Sequence, residues 1–377
     1  MTPFDKPVYV TAPLLPPLEA VTARLADVWA SGWLTNNGRQ QELLEAALRA
    51  YLGVPQLSLF NNGTIALFTA LRALDLRGEV ITTPFTFPAT PHALAWSGVT
   101  PVFADIDPVR LTLDPARVEE AITPRTTGIL GVHVYGIPCD LDGLQKVADR
   151  HGLKVIYDGA HAFGTRVNGV GIGTFGDITM LSFHATKLFH TAEGGALACR
   201  DEAMRERINQ LKNFGIIDPE TVLSIGLNGK MNELQAVLGL AVLDCLAEEI
   251  DRRKALLQLY RRTLGAIDGV TMVEEPPGIE SSYQYCAIRI DEARFGCSRD
   301  GVHRALMNHN VISRKYFFPL CSDYACYRDL PSADPARLPV ARAAAMQVLC
   351  LPLYGTLPPE TVQCICDIIA SCRGGAS

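Results

Sequence analysis

Several features that would decide a function class are scarce or missing in this chain of 377 residues. It has no basic excess: 34 Lys and Arg stand against 40 Asp and Glu, a net charge of −6. General nucleic-acid binders and membrane-surface proteins need the opposite balance. An anionic partner must therefore be held by a local cluster of cations and backbone amides. No apolar run approaches the ~20 residues of a membrane span; the best, 236–243, is short and is closed by Asp244. The 11 cysteines are an odd number, contain no C-x-x-C pair and lack zinc-type spacing. Cys364 and Cys366 are separated by one residue on an expected terminal helix. No signal peptide is expected ahead of Met1-Thr-Pro-Phe-Asp-Lys6. These are the marks of reduced, mostly buried thiols in a cytoplasmic protein. The G-x-x-x-x-G-K-[ST] and H-E-x-x-H motifs are absent, and His184 and His190 are too loosely placed to suggest a metal.

What is present is ordinary globular composition, 48% hydrophobic and 20% charged. The length suits a large and a smaller domain. Apolar spacing predicts amphipathic helices over 17–31 and 40–52, joined by Trp33-Leu-Thr-Asn-Asn-Gly38. Strand-like and helical segments then alternate. Strands are expected at 57–60, 79–83, 101–105, 128–134, 155–157 and 178–183, with helices at 64–74, 91–96 and 140–151. Such alternation predicts an α/β fold whose mostly parallel sheet carries helices on both faces. From about Ala198 the pattern changes. One long helix is expected over 232–264, an antiparallel strand over 281–290, and helices over 301–308, 339–348 and 359–371. The expected division is a large domain, 1–249, and a smaller α+β domain, 250–377. Residues 374–377 read as a frayed tail.

The chemistry gathers at expected strand ends. Asn61-Asn62-Gly63-Thr64 links a strand to a helix, where free N–H groups and the positive dipole end suit a phosphate. An ordinary helix cap would look the same. Phe87, in Pro84-Phe-Thr-Phe87, is either core or a platform for an aromatic ring. The apolar segment Leu153-Lys-Val-Ile-Tyr-Asp158 ends in an acid that would point into the crevice of a parallel sheet, and His161 follows three residues later. The next strand pattern leads to Ser182, His184, Thr186 and Lys187, then to Glu193-Gly-Gly195. A lysine and an acid at two strand ends are what pyridoxal phosphate chemistry needs. The amine forms the Schiff base, and the acid keeps the ring nitrogen protonated. Each residue alone has a bland reading as a cap, a core ring or a solvated charge; their order along one sheet gives the set its meaning. Gly171-Ile-Gly173-Thr-Phe-Gly176 matches the dinucleotide pattern G-x-G-x-x-G, but a turn precedes it and a strand follows it, the reverse of what that motif needs.

With these motifs the chain resembles the DegT/DnrJ/StrS-type nucleotide-sugar aminotransferases over nearly its whole length. The matching segments include Asn62-Gly-Thr-Ile-Ala-Leu67, Val132-His-Val-Tyr-Gly136, Asp158-Gly-Ala-His-Ala-Phe-Gly164, Ser182-Phe-His-Ala-Thr-Lys187 and Gly226-Leu-Asn-Gly-Lys-Met-Asn-Glu-Leu234. The resemblance implies a pyridoxal-phosphate fold of type I, with pyridoxamine phosphate formed in turnover. It implies Lys187 as the Schiff-base lysine, Asp158 at the pyridine nitrogen and Phe87 on the ring. Gly63, Thr64 and Ser182 would hold the phosphate, and Asn228 would reach it from the neighbouring subunit of a homodimer. His161 stands where many members have glutamine and can still reach the phenolic oxygen. Ala192 replaces the first glycine of the usual Gly-Glu-Gly-Gly. Lys230 replaces a common arginine and offers a diphosphate only a point charge. His184, Glu193, Lys315, Tyr316 and Phe317 are further expected substrate contacts.

The implied activity is amino transfer from L-glutamate to a nucleotide-linked keto sugar. The wording of the motifs most resembles members that make dTDP-4-amino-4,6-dideoxyglucose. Transfer at C3 of a 3-keto sugar is the alternative. Dehydratases of the same fold carry histidine at the lysine position, so Lys187 disfavours dehydration. A regulatory homologue would want a broken site or a DNA-binding appendage, and neither is visible.

Overall fold

The computed structural model describes residues 2–374. Of the expected tail, residues 375–377 lie outside this range. A sheet of seven strands forms the centre of the first part of the chain. In chain order they are β1 (Gln56–Phe60), β2 (Glu79–Thr82), β3 (Thr100–Phe103), β4 (Thr126–Val132), β5 (Lys154–Asp158), β6 (Ile178–Ser182) and β7 (Gly195–Cys199). Their order across the sheet is β1-β7-β6-β5-β4-β2-β3. Strands β6, β5, β4, β2 and β3 pair in parallel, and β7 runs antiparallel between β1 and β6.

Alternation along the strands explains the helices on both faces. Phe60, Val80, Leu130, Ile156, Met180 and Leu197 face the core shared with helix Gly63–Ala73. Their neighbours point the other way. Leu57, Leu59, Leu181, Ala196 and Ala198 meet Leu44 and Leu48 of helix Arg39–Leu52, while Ile81, Ile129 and Val155 meet Leu144 and Val147 of helix Leu141–His151. Both faces are apolar, so these strands read as short, nearly continuous apolar runs.

A second sheet of three antiparallel strands, β8 (Val270–Met272), β9 (Cys286–Ile290) and β10 (Val348–Leu351), has its own core with Leu256, Leu257, Tyr260, Val362 and Ile365. The N-terminal strand Val8–Tyr9 pairs in parallel with Val311–Ile312.

Three local expectations change. The long helix expected over 232–264 is two helices, Glu233–Asp244 and Leu246–Leu264, meeting at Cys245. Apolar spacing continues through the break, but the buried residues of the first serve the large sheet and Leu256, Leu257 and Tyr260 of the second serve the other core. The strand expected over 281–290 begins only at Cys286. Ahead of it, polar side chains bond outside the sheet: Ser282 Oγ donates to His161 O at 2.8 Å, and Gln284 Nε2 donates to Thr186 O at 3.1 Å. Strand β7 was not expected, because Gly-Ala-Leu-Ala-Cys is built mostly from small residues of weak strand preference. The glycine pattern at 171–176 lies in a short hairpin and a 3₁₀ turn before β6, not in a strand–turn–helix unit.

Candidate active site

The parallel arrangement brings the C-terminal ends of β1, β2, β5 and β6 to one edge of the sheet. A cavity of about 640 Å³ opens there, and the approaches to β9 and the loop at Tyr316 and Phe317 form its opposite wall. Gly63, Thr64, Phe87, Asp158, His161, Ser182, His184, Lys187, Glu193, Tyr316 and Phe317 all line it, so eleven of the expected cofactor and substrate contacts are brought together.

Asp158 ends β5 and is buried. Its carboxylate is held at both oxygens: Oδ1 accepts from the Ala160 N–H at 3.0 Å and Oδ2 from the Thr90 hydroxyl at 2.8 Å. Thr86 and Thr90 hydroxyls are themselves 2.8 Å apart. Burial pushes the Asp158 pKa up; the Ala160 and Thr90 hydrogen bonds and the Lys187 charge pull it down.

Lys187 follows the end of β6. Loss of hydration lowers its pKa from 10.5 to about 8, and Asp158 opposes that shift. Its Nζ donates to the Tyr285 hydroxyl oxygen at 3.5 Å, the outer limit of a hydrogen bond. His161 is buried, and burial followed by the Lys187 charge holds its pKa well below 6.5, so the ring is neutral. Its Nδ1 accepts from the Tyr135 N–H at 3.2 Å. The single ring proton therefore sits on Nε2, which is left as a donor.

The phosphate-type corner lies at the start of helix Gly63–Ala73. Asn62 Oδ1 caps it by accepting from the Ile65 N–H at 2.9 Å. The N–H groups of Gly63 and Thr64 precede any helical partner. A Cβ on Gly63 would come within 3.1 Å of both Met180 Sδ and Ser182 Cβ, so glycine is what lets the helix start meet β6. Phe87 is 57% exposed and presents its ring to the cavity. His184 Nε2 and Glu193 Oε1 stand 3.6 Å apart at the rim.

Three expected residues lie elsewhere. Lys315 is turned from the cavity by Asp300, which pairs with its ammonium at 2.8 Å. Lys230 lies against a separate pocket of about 310 Å³, donating to Asn213 Oδ1 at 2.9 Å and packing over Phe214. Asn228 is exposed and outside this chain's own cavity; its carbonyl accepts from Asn61 Nδ2 at 3.2 Å. Two residues were missed: Thr90, which holds the Asp158 carboxylate, and Tyr285, which lines the cavity. Thr90 falls four residues after Thr86, a helical spacing that could have placed both hydroxyls on one side. Tyr285 signalled only strand alternation.

An amine of lowered pKa, a fixed carboxylate, a neutral donor, a ring platform and free N–H groups make a site for covalent amine chemistry on a phosphorylated aromatic group. The model of the DegT/DnrJ/EryC1/StrS aminotransferase family matches residues 18–370. The chain belongs to this family. A dTDP-4-amino-4,6-dideoxy-D-glucose transaminase of Escherichia coli is 45% identical over 363 residues, covering 95% of this chain and 96% of that protein. One from Shigella dysenteriae is 44% identical over 366 residues, 97% and 99% of the two chains. Among solved structures, DesI in the presence of its TDP-sugar product is 38% identical, with a TM-score of 0.94 over 99% of this chain and 95% of that one. As a family member the chain is a sugar aminotransferase. The substituted family turn is accommodated: Ala192 takes a left-handed φ of 61°, a conformation that costs alanine more than glycine.

Proposed function

We propose that the chain moves the amino group of L-glutamate to C4 of dTDP-4-keto-6-deoxy-D-glucose, giving dTDP-4-amino-4,6-dideoxy-D-glucose and 2-oxoglutarate, with pyridoxal phosphate as cofactor. The observation that carries the chemistry is the convergence of Lys187 and Asp158 on one cavity beside the uncovered N–H groups of Gly63 and Thr64. The names of the two relatives above support the sugar and the carbon.

The residues fit the cofactor. Gly63, Thr64 and Ser182 would hold its phosphate, Phe87 its ring face, Asp158 its ring nitrogen, His161 Nε2 its phenolic oxygen and Lys187 its aldehyde. When bound, pyridoxal phosphate supplies a carbonyl that condenses with amines and a ring that takes up the electron pair left by proton removal. Lys187 Nζ takes a proton as a free amine and returns it as an ammonium, and a pKa of about 8 makes both forms accessible near neutral pH. Asp158 keeps the ring nitrogen's proton in place, since both its oxygens are held in position. Tyr316 and Phe317, with Tyr285, exclude water from one side. His184 and Glu193 border the space left for the sugar.

In this reading residues 1–249 carry the cofactor and 250–377 form a smaller domain that supplies the aromatic wall. Asn228 completes the phosphate site of the partner subunit in a cytoplasmic homodimer. Its exposure and its position outside its own cavity support that role.

The test is product identity. Incubation with pyridoxal phosphate, L-glutamate and either the 4-keto or the 3-keto dTDP-6-deoxyhexose, followed by mass and NMR analysis, should give the 4-amino sugar from the first alone. A 3-amino product, or none from either sugar, overturns the assignment.

A further inference from the structure

Tyr285 precedes β9 and is 9% exposed. Its ring is met edge-on by His161, Tyr316 and Tyr135, at centroid distances of 4.8, 5.7 and 6.2 Å. Three rings therefore fix the direction of the phenol, and it points at Lys187. The separation from Oη to Nζ is 3.5 Å, and Nζ lies 5.8 Å from the ring centroid. Among the described residues no carboxylate forms an ion pair with this amine. That choice of partner has a chemical consequence. A carboxylate in contact would lock the nitrogen as an ammonium, whereas a neutral phenol oxygen holds an N–H while favouring the ammonium only slightly. Burial keeps the Tyr285 phenol itself protonated, well above its usual range.

We propose that Tyr285 is a positioning residue for the Lys187 amine. Its hydroxyl oxygen accepts one N–H of the free side chain, which turns the nitrogen lone pair toward the cavity. One proton moves on and off Nζ, while Tyr285 keeps its own. The role rests on Lys187 being the reacting amine. The titratable groups around Nζ are Asp158 at the end of β5, His161 in the loop that follows, Tyr285 before β9, Tyr316 on the opposite wall, and His184 and Glu193 at the rim. Of these, Asp158 stabilises the ammonium and His161 stays neutral, so removal of the phenol oxygen leaves one stabilising partner fewer.

The test uses Tyr285→Phe, which keeps the ring. Lys187 of the cofactor-free protein is labelled with acetic anhydride across pH, and its modification is read by peptide mass. The labelling midpoint should fall by about half a pH unit in the variant, because the lost oxygen favoured the ammonium. Lys212, labelled in the same samples, should not move. With pyridoxal phosphate and both substrates, kcat should fall about 10-fold, KM for L-glutamate should change less than about 2-fold, and the acid limb of the kcat profile should move to lower pH. An unmoved Lys187 midpoint with an unchanged kcat overturns the proposal, and so does a Lys212 midpoint that moves in parallel, since that marks a general disturbance. Retained turnover in Lys187→Ala would instead overturn the reading of the site itself.

Discussion

Lys187 and Lys212 begin from the same physics and end in different surroundings. Burial lowers each from 10.5 to about 8. Lys212 is 6% exposed; its Nζ donates to Leu59 O at 3.1 Å, and Glu45 supplies the main opposing charge. It joins Asn36, Asn37 and Lys230 around the smaller pocket. A backbone carbonyl and a balancing acid occupy it. Lys187 has only a phenol at the limit of contact, and its amine faces a cavity shared with a fixed carboxylate, a ring platform and free helix-start N–H groups. A depressed lysine pKa thus records burial. The surroundings decide whether the amine is spent on structure or left for chemistry.

Substitutions can break this contrast, the strongest first. Lys187→Ala should lower turnover by about 10³-fold or more, because it removes the group proposed to move the proton. Stopped assays without added amine check it, and turnover near wild type would erase the distinction. Asp158→Asn should cost about 10²- to 10³-fold in kcat if the proposed role holds, since a neutral amide could not keep a ring nitrogen charged. Lys212→Met should leave kcat within about 2-fold. Its effect belongs to stability. Between pH 8 and 10.5 the folded Lys212 is mostly neutral while the unfolded one is mostly protonated. The unfolded state then binds more protons, so this group's contribution to stability rises with pH through that window and is lost as pH falls through 8. Urea midpoints at about pH 8 and about pH 10 should therefore differ more in the wild type than in Lys212→Met, by up to about 1.4 kcal/mol per pH unit.

The two regions also differ in how far the sequence revealed them. The Lys187 cavity was legible because its residues come in strand-end order: the acid after Leu153-Lys-Val-Ile-Tyr, the lysine after the apolar run to Ser182, and the glycine between β1 and its helix. Strand period and the crevice rule convert that order into a place. The wall from the second sheet was less legible. Tyr285 comes from a chain segment 98 residues beyond Lys187, and its alternation with Tyr283 carries no information about what it faces. Lys315 illustrates the reverse error: it lies beside Tyr316 in sequence, yet Asp300 draws its ammonium away. The break at Cys245 was hidden because helical spacing survives a change of direction. Lys212 carries no signal in the sequence, since nothing local marks a lysine whose surroundings include Glu45 and Leu59 from distant elements.

The central claim is that Lys187 is the amine that joins the cofactor. Incubation with pyridoxal phosphate, reduction with borohydride and peptide mass mapping test it directly. The account predicts the reduced cofactor on the peptide that carries Lys187, and none on the one that carries Lys212. A modification confined to Lys212, or one that persists unchanged in Lys187→Ala, would contradict it.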